Sequence, residues 1–309
     1  SPPRRARELT DVSLESLRQA FSGKLLSGAD AAPFLTDYRG KWTGQALAVA
    51  QGRGQPGWHL PEATTGADTA AAAGIPYCFI STVSVYIGWP THSTAESSPV
   101  HPCPDDNAAV TGETYGGLKA RCEDMVRLSH PDNHIIVRPG LIVGPFDVSD
   151  RFAYWVRRID EGGAVIAPEG PDYPTQFIDV RDLADFVLRL ITNGMRGTFN
   201  ADGPVVPLGM LLETIQASSP VESRVVYVLG DVLSENGVQP WSELPLWIPG
   251  LTGTDGSTDT QKATQYGLLA RPLSETVTAT REWLASDTRS VKWVRTLTKE
   301  KEQSLLSVL

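Results

Sequence analysis

Two short apolar runs with a helical stretch between them constrain the fold of this chain more than any other feature. The first run, Tyr77–Ser81, leads into a hydroxyl-rich strand end, Thr82–Gly88, and the second, His134–Gly140, continues through Leu141–Pro145. The stretch between them is predicted to be helical from Thr114 to Ser129. Short apolar runs are typical of strands buried on both faces of a parallel sheet. This spacing therefore predicts a parallel βαβ unit with its functional site beyond the carboxyl ends of the strands.

The rest of the chain continues the alternation of strands and helices. Further helices are predicted over 151–161, 182–190 and 296–309, and further strands over 176–180 and 197–201. The fold class is therefore α/β, with a Rossmann-like parallel sheet flanked by helices. We expect three regions: an atypical or incomplete N-terminal part over 1–76, a core over 77–204, and a smaller substrate lobe with C-terminal helices over 205–309, interleaved with the core.

Composition excludes several classes of function. The formal net charge is −9, which argues against nucleic acid or an anionic membrane surface as the main partner. No run of about 18 apolar residues is present, so no membrane span is expected. The cysteines Cys78, Cys103 and Cys122 are widely spaced and odd in number, which predicts a reducing, cytoplasmic location without disulfides. His101 and His134 show no metal-ligand spacing, so no metal is expected.

The helix over 114–129 carries the residues best suited to chemistry. Tyr115 and Lys119 are four positions apart, so both side chains lie on one helix face. A neighbouring ammonium stabilises a phenolate and would lower the pKa of the tyrosine toward the range in which it can transfer protons. The pair predicts an acid/base site, although such pairs also occur on solvated helices.

Residues 77–285 resemble the extended short-chain dehydrogenase/reductase family, which contains NAD-dependent epimerases and dehydratases. Four ordered pieces carry the resemblance. They are the strand Phe79–Tyr86, the Tyr115/Lys119 pair, the segment Val137–Gly140 with Val143–Pro145, and the signature Gln176–Ala184.

The resemblance implies an NAD(P)-dependent oxidoreductase, epimerase or dehydratase acting on a small hydroxyl or carbonyl substrate. Its implied catalytic residues are Tyr115 as general acid/base, Thr82 holding the substrate oxygen, and Lys119. It implies contacts to NAD or NADP from Ser81, Lys119, Pro139, Gly140 and Leu141, and substrate contacts from Ser84, Tyr86, Arg151 and Gln176. A homodimer formed by helix pairing is also implied.

The region before residue 77 departs from that family. A dinucleotide-binding fold should begin with a strand that runs into a glycine-rich phosphate loop, and Gly40–Leu47 has two glycines but no preceding strand. Residues 12–76 bear a weak resemblance to the N-terminus of FAD-linked oxidases, which a shared helix-strand composition explains equally well. That resemblance carries over no functional residue.

Three functions follow from this departure. The chain could bind NAD(P) through a cryptic N-terminal region, use the site for non-redox cyclisation, elimination or isomerisation, or be a non-catalytic chimeric remnant.

Structural roles also compete for single residues. Thr82 could cap a turn, with Ser81 or Ser84 taking its catalytic place. Arg138 and Asp179 are expected to be architectural ion-pair or cap residues. A solvated helix face is the expected place of Arg151, Arg157 and Arg158. The core or the wall of a pocket is the expected place of Trp155, Trp241 and Trp247.

Overall fold

The computed structural model describes residues 67–68, 70–72, 74–104, 108–147, 149–253, 256–286 and 296–308. The predicted atypical N-terminal region lies outside this part up to residue 66. Its strands are β1 Tyr77–Ile80, β2 His134–Pro139, β3 Ile142–Val143, β4 Gly163–Pro168, β5 Pro174–Gln176, β6 Ile178–Asp179, β7 Gly197–Ala201, β8 Val205–Pro207 and β9 Ser223–Val228. Its helices are α1 Tyr115–Ser129, α2 Arg151–Asp160, α3 Val180–Thr192, α4 Leu208–Ala217, α5 Gly230–Glu235, α6 Gln261–Gln265, α7 Leu273–Ser286 and α8 Lys299–Val308, with a short 3-10 helix at Val83–Val85.

The predicted parallel sheet is confirmed, with strand order β1-β2-β7. Strand β2 is central, and its residues 135–137 are completely buried because helices cover both faces. Ile136 packs with Cys122 and Val126 of α1, whereas Ile135 and Val137 pack with residues of α3 on the opposite face. This alternation explains why the β2 sequence is a continuous apolar run.

A second core lies in the smaller lobe. Strands β4 and β9 form a parallel pair, and α2, α4 and α7 pack together beside it. Trp155 and Trp247 are fully buried in this core, as predicted for core tryptophans. The C-terminal helix α8 packs on β4, where the carboxylate of Glu302 accepts a hydrogen bond from the amide of Ile166 at 3.0 Å. The boundary predicted at residue 204 stays a prediction.

Three predicted strands are shorter than expected, each for a local reason. The prediction of a strand end over Thr82–Gly88 is wrong. The hydroxyl of Thr82 accepts a hydrogen bond from the amide of Ser84 at 3.1 Å, and this contact starts the 3-10 helix. The strand predicted over 176–180 is split, and α3 begins at Val180, since the side chain of Asp179 caps its first turn. The chain after Pro139 leaves β2, and β3 pairs with β6 instead.

Candidate active site

The phenol of Tyr115 and the hydroxyl of Thr82 share a hydrogen bond at the carboxyl end of β1. The two glycines after Tyr115 allow this contact. A side chain at Gly116 would collide with the carbonyl oxygen of Ser84, and one at Gly117 would lie 2.5 Å from the carbonyl oxygen of Pro102. The start of α1 can therefore approach the loop that carries Thr82. Thr82 is both the predicted turn cap and the partner of the predicted catalytic tyrosine.

The pKa of Tyr115 is raised, chiefly because the surrounding protein excludes water from its phenol. The hydrogen bond with Thr82 and the positive charge of Arg151 act in the opposite direction without reversing the shift. The phenol is consequently neutral near pH 7 and is a proton donor. The expectation that Lys119 brings the pKa of Tyr115 down is not met in this structure.

Lys119 is completely buried and bonded away from the phenol. Its Nζ donates a hydrogen bond to the carbonyl oxygen of Ile80 at 2.8 Å and lies 4.2 Å from the ring centre of Phe79. Burial lowers the pKa of its ammonium to about 8. These contacts clamp α1 to the end of β1, so that Lys119 fixes the position of the helix that begins with Tyr115.

A buried polar network lies directly behind this site and centres on Glu123, which the sequence analysis did not single out. Arg138 forms a two-pronged ion pair with Glu123, through Nε at 2.8 Å and Nη2 at 2.6 Å. Arg138 Nη1 donates to the hydroxyl of Tyr86 at 2.8 Å, and that hydroxyl donates to Asn200 at 2.6 Å. The predicted architectural role of Arg138 is confirmed.

Two predicted ligand contacts belong to this network. The hydroxyl of Ser81 donates to Glu123 at 2.5 Å, and Tyr86 is fully buried between Arg138 and Asn200. Both side chains are therefore hydrogen-bonded within the protein. Ser84 remains near Thr82, whose hydroxyl donates to it at 3.2 Å.

Glu123 could have been found in the sequence. It lies four residues after Lys119 and shares the buried face of α1 with Cys122 and Val126. A carboxylate on an apolar helix face requires a partner, because an isolated buried charge is strongly unfavourable. Its partner Arg138, however, lies on strand β2, so the sequence of α1 alone does not identify the pair.

A cleft lined by residues of the core and of the smaller lobe is linked to this site through Arg151. Arg151 lies over the ring of Trp241 at 5.0 Å, and Trp241 meets Trp89 edge to face with 6.4 Å between ring centres. Trp241 has a φ of 62°, an unusual backbone conformation for a bulky residue. The cleft encloses about 560 Å³ including its open mouth, and both tryptophans line it together with Leu141, Thr175, Gln176, Asp202 and Leu246. Arg151 and Trp241 therefore connect Tyr115 with the cleft.

The remaining predicted residues are distributed around this cleft. Gln176 lines it, but its amide is bonded to the protein, donating to Gly203 O at 2.9 Å and accepting from Thr258 N at 2.7 Å. Pro139 is buried in β2, and Gly140 is half-buried next to Leu141. Arg158, predicted on a solvated face, instead pairs with Glu302 at 2.7 Å inside the smaller lobe.

Several absences hold for the part of the chain that the structure describes. It contains no cluster of three or more side chains able to hold a metal ion. None of its helices combines the length and the apolar composition that a bilayer crossing requires. A separate groove beside α3, lined by Asp182, Asp185 and Arg189, includes none of the predicted site residues.

Comparisons with known proteins agree with this architecture. The family model described as NAD dependent epimerase/dehydratase matches residues 64–201. No curated protein matches the sequence. The resemblance of residues 12–76 to FAD-linked oxidases finds no support, and the family match begins within that range.

Solved structures share the fold at low sequence identity. UDP-glucuronic acid 4-epimerase from Bacillus cereus, in complex with NAD, is 14% identical with a TM-score of 0.53, over 76% of this chain and 68% of that one. dTDP-4-dehydrorhamnose reductase from Bacillus anthracis, in complex with NADP, is 17% identical with a TM-score of 0.50, over 74% and 72%. UDP-glucose 4-epimerase from Thermotoga maritima, with UDP-glucose, is 16% identical with a TM-score of 0.51, over 74% and 70%.

The family match covers the parallel sheet, α1 and the Tyr115/Thr82 contact, and the structural likeness extends into the smaller lobe. Residues 64–201 of this chain therefore match the NAD dependent epimerase/dehydratase family model, and the chain shares its Rossmann-like fold with these solved epimerases and reductases.

Proposed function

We propose that this chain is an NAD(P)-dependent oxidoreductase or epimerase/dehydratase in which Tyr115 exchanges a proton with a hydroxyl or carbonyl group of a small substrate. The hydrogen bond between Tyr115 and Thr82 carries the proposal, because it places a proton donor and a second hydroxyl together at a strand end. Arg151, whose charge acts on Tyr115, lies over Trp241 in the wall of the cleft, and this cleft offers space for a substrate. The implied homodimer and cytoplasmic location stay predictions.

Four side chains have separate roles in the proposed proton transfer. Thr82 would orient the substrate oxygen against the phenol of Tyr115, which is neutral because burial raises its pKa. When that phenol gives up its proton, the positive charge of Arg151 stabilises the phenolate. Lys119 holds α1 against β1 through Ile80, so the tyrosine keeps its place during the transfer.

The residues assigned to a nicotinamide fit that group in part. Leu141 lines the cleft with Gly140 beside it, and Lys119 has three N–H donors, of which the carbonyl of Ile80 accepts one. The hydroxyl of Ser81 already donates its hydrogen bond to Glu123. Lys119, Gly140 and Leu141 are therefore the residues that would hold the nicotinamide end. When bound, the cofactor would give or take the hydride.

Cofactor binding is the first test. The purified protein is titrated with NADH and with NADPH, and energy transfer from tryptophan to the reduced nicotinamide is followed. Trp89 and Trp241 line the cleft and provide donors close to the site. Saturable binding at roughly micromolar concentrations supports the proposal. The absence of binding of both cofactors at roughly millimolar concentrations contradicts it.

The second test concerns the proton donor. UDP-glucose, the ligand of the Thermotoga maritima epimerase, serves as the first substrate probe. Tyr115→Phe should reduce turnover about 10²–10⁴-fold, which is the usual contribution of a general acid/base. Tyr266→Phe is the matched control, since it removes a phenol hydroxyl from an exposed residue on the far side of β7. Equal turnover in both variants would exclude Tyr115 as the acid/base.

The two tests also separate the alternative functions. A protein that binds neither cofactor but loses turnover in Tyr115→Phe uses the site for non-redox acid/base chemistry. A protein that binds neither and turns over no probe agrees with a non-catalytic remnant.

A further inference from the structure

Asp202 is a buried carboxyl group at the floor of the cleft, and no role has been given to it so far. It follows β7 directly, lines the cleft, and keeps 5% of its surface exposed. One oxygen, Oδ1, accepts a hydrogen bond from the amide of Gly203 at 2.9 Å. The other, Oδ2, lies against Gly140, where the Cβ of any other residue would collide with it. The absence of a side chain at Gly140 thus makes room for this carboxyl.

Most of the other polar groups that line the cleft form hydrogen bonds within the protein. The amide of Gln176 is bonded on both sides, and the hydroxyl of Thr175 donates to Val206 O at 2.7 Å. Oδ2 of Asp202 differs from them, because the Gly203 amide bonds only to Oδ1. Asp202 is therefore a buried polar group of this cleft with hydrogen-bonding capacity left for a ligand.

The charged groups on the surrounding elements do not pair with Asp202. Within the described ranges, no lysine or arginine forms an ion pair with it. The neighbouring charges are bound elsewhere: Arg138 by Glu123, Arg151 over Trp241, Arg181 by Asp179, Glu96 by the amide of Asn200, and Asp259 by the amide of Gln261. Burial without a cation favours the neutral acid, and it raises the pKa of Asp202 to about 8.

We propose that Asp202 is a ligand-binding residue that, as an uncharged carboxylic acid, donates a hydrogen bond to a neutral carbonyl or hydroxyl oxygen of a molecule in the cleft. The choice of a carbonyl or hydroxyl group rests on the proposed function, whereas the neutral state of Asp202 does not.

This assignment has a consequence for selectivity. A neutral acid donates to an oxygen acceptor at no cost in charge, whereas an ammonium group would bind best to the ionised carboxylate. Asp202→Asn imitates the neutral acid, because its amide keeps a donor at nearly the same place. It should therefore preserve the binding of a neutral ligand and weaken that of an amine.

The protein alone provides the first measurement. The folded pKa is raised above that of an unfolded aspartate, so the stability due to Asp202 is complete below about pH 4 and is lost as pH rises to about 8. Relative to Asp202→Asn, the folding equilibrium constant of the wild type should fall about tenfold per pH unit across this window and level off above it. Asp231→Asn, at an exposed site on α5, is the control and should show no such trend. A pH-independent difference between wild type and Asp202→Asn overturns the neutral state.

The second measurement uses glucose as the neutral probe and glucosamine as the cationic one, followed by ligand-observed NMR. The wild type should bind glucose at about pH 6 and at least about tenfold more weakly at about pH 10, because the donor is then lost. Asp202→Asn should bind glucose equally at both pH values, and Asp202→Ala weakly at both. Tighter binding of glucosamine by the wild type, pH-independent binding of glucose, or no saturable binding of either probe overturns the binding role. Neither measurement involves NADH, so failure of the cofactor titration leaves both outcomes interpretable.

Discussion

Replacing Glu123 by glutamine tests the buried network behind the site. Its Oε1 accepts from Ser81 at 2.5 Å and from Arg138 Nε at 2.8 Å. Its Oε2 accepts from Arg138 Nη2 at 2.6 Å and from Arg127 Nη2 at 2.8 Å. A glutamine has the same shape, but its NH₂ group would face N–H donors on one side. The substitution also removes the negative charge that neutralises Arg138.

The expected loss follows from the burial of both partners. The side chain of Glu123 is completely buried and that of Arg138 is 4% exposed. Water therefore cannot solvate the guanidinium of Arg138 once its negatively charged partner is removed. Breaking one partner of such a buried pair costs about 3–5 kcal/mol of unfolding free energy. For a protein of this size each kcal/mol corresponds to about 2–4 °C, which gives a decrease in Tm of about 6–20 °C.

Urea denaturation followed by circular dichroism measures the difference. The control is Asp124→Asn on the next position of α1, where an exposed carboxylate pairs with Arg127 at 3.1 Å and should contribute under about 1 kcal/mol. The double replacement Glu123→Leu with Arg138→Met should recover much of the loss, because apolar residues leave no unpaired charge. A Glu123→Gln protein as stable as Asp124→Asn would refute the assignment of an ion pair at the centre of this network.

Three further substitutions test other contacts. Gly140→Ala should cost about 1–3 kcal/mol in urea denaturation, since the new methyl group meets the carboxyl of Asp202, and full stability would contradict that packing. Arg151→Met should raise the pKa of Tyr115 further in an ultraviolet titration referenced to Tyr115→Phe; an unchanged pKa would rule out Arg151 as its charge partner. Glu302→Gln should cost about 1–3 kcal/mol and expose α8 to limited proteolysis, because Glu302 bonds both an arginine and a β4 amide. Proteolysis at the wild-type rate would argue against this anchor.

The fold was predictable where one segment contains its own signal. The run at His134–Pro139 is apolar throughout because helices bury both faces of β2, and this alone identifies a central parallel strand. The prediction failed at Thr82–Gly88, where a side-chain cap diverts a hydroxyl-rich, strand-like sequence into a 3-10 turn.

The candidate site was predictable to the extent that it is local in sequence. Tyr115 and Lys119 are one helical turn apart, and a single strand end carries Thr82. The predicted effect of Lys119 on Tyr115 failed because sharing a helix face does not determine where a long side chain ends. Glu123 and Asp202 were missed because their roles depend on contacts with other strands, such as Arg138 in β2 and Gly140 beyond it.

The buried network offers a physical reason why the tyrosine site persists in a chain without a recognisable phosphate loop. Its members join the carboxyl ends of the three parallel strands: Ser81 follows β1, Arg138 belongs to β2, and Asn200 belongs to β7, with Glu123 linking them to α1. These contacts all lie after residue 77, among the residues that the structure describes. We therefore expect the placement of the acid/base pair and the binding of the dinucleotide to be separable properties. A chain can alter the second while it keeps the first, and the cofactor titration of the wild type together with the stability of Glu123→Gln would measure the two independently.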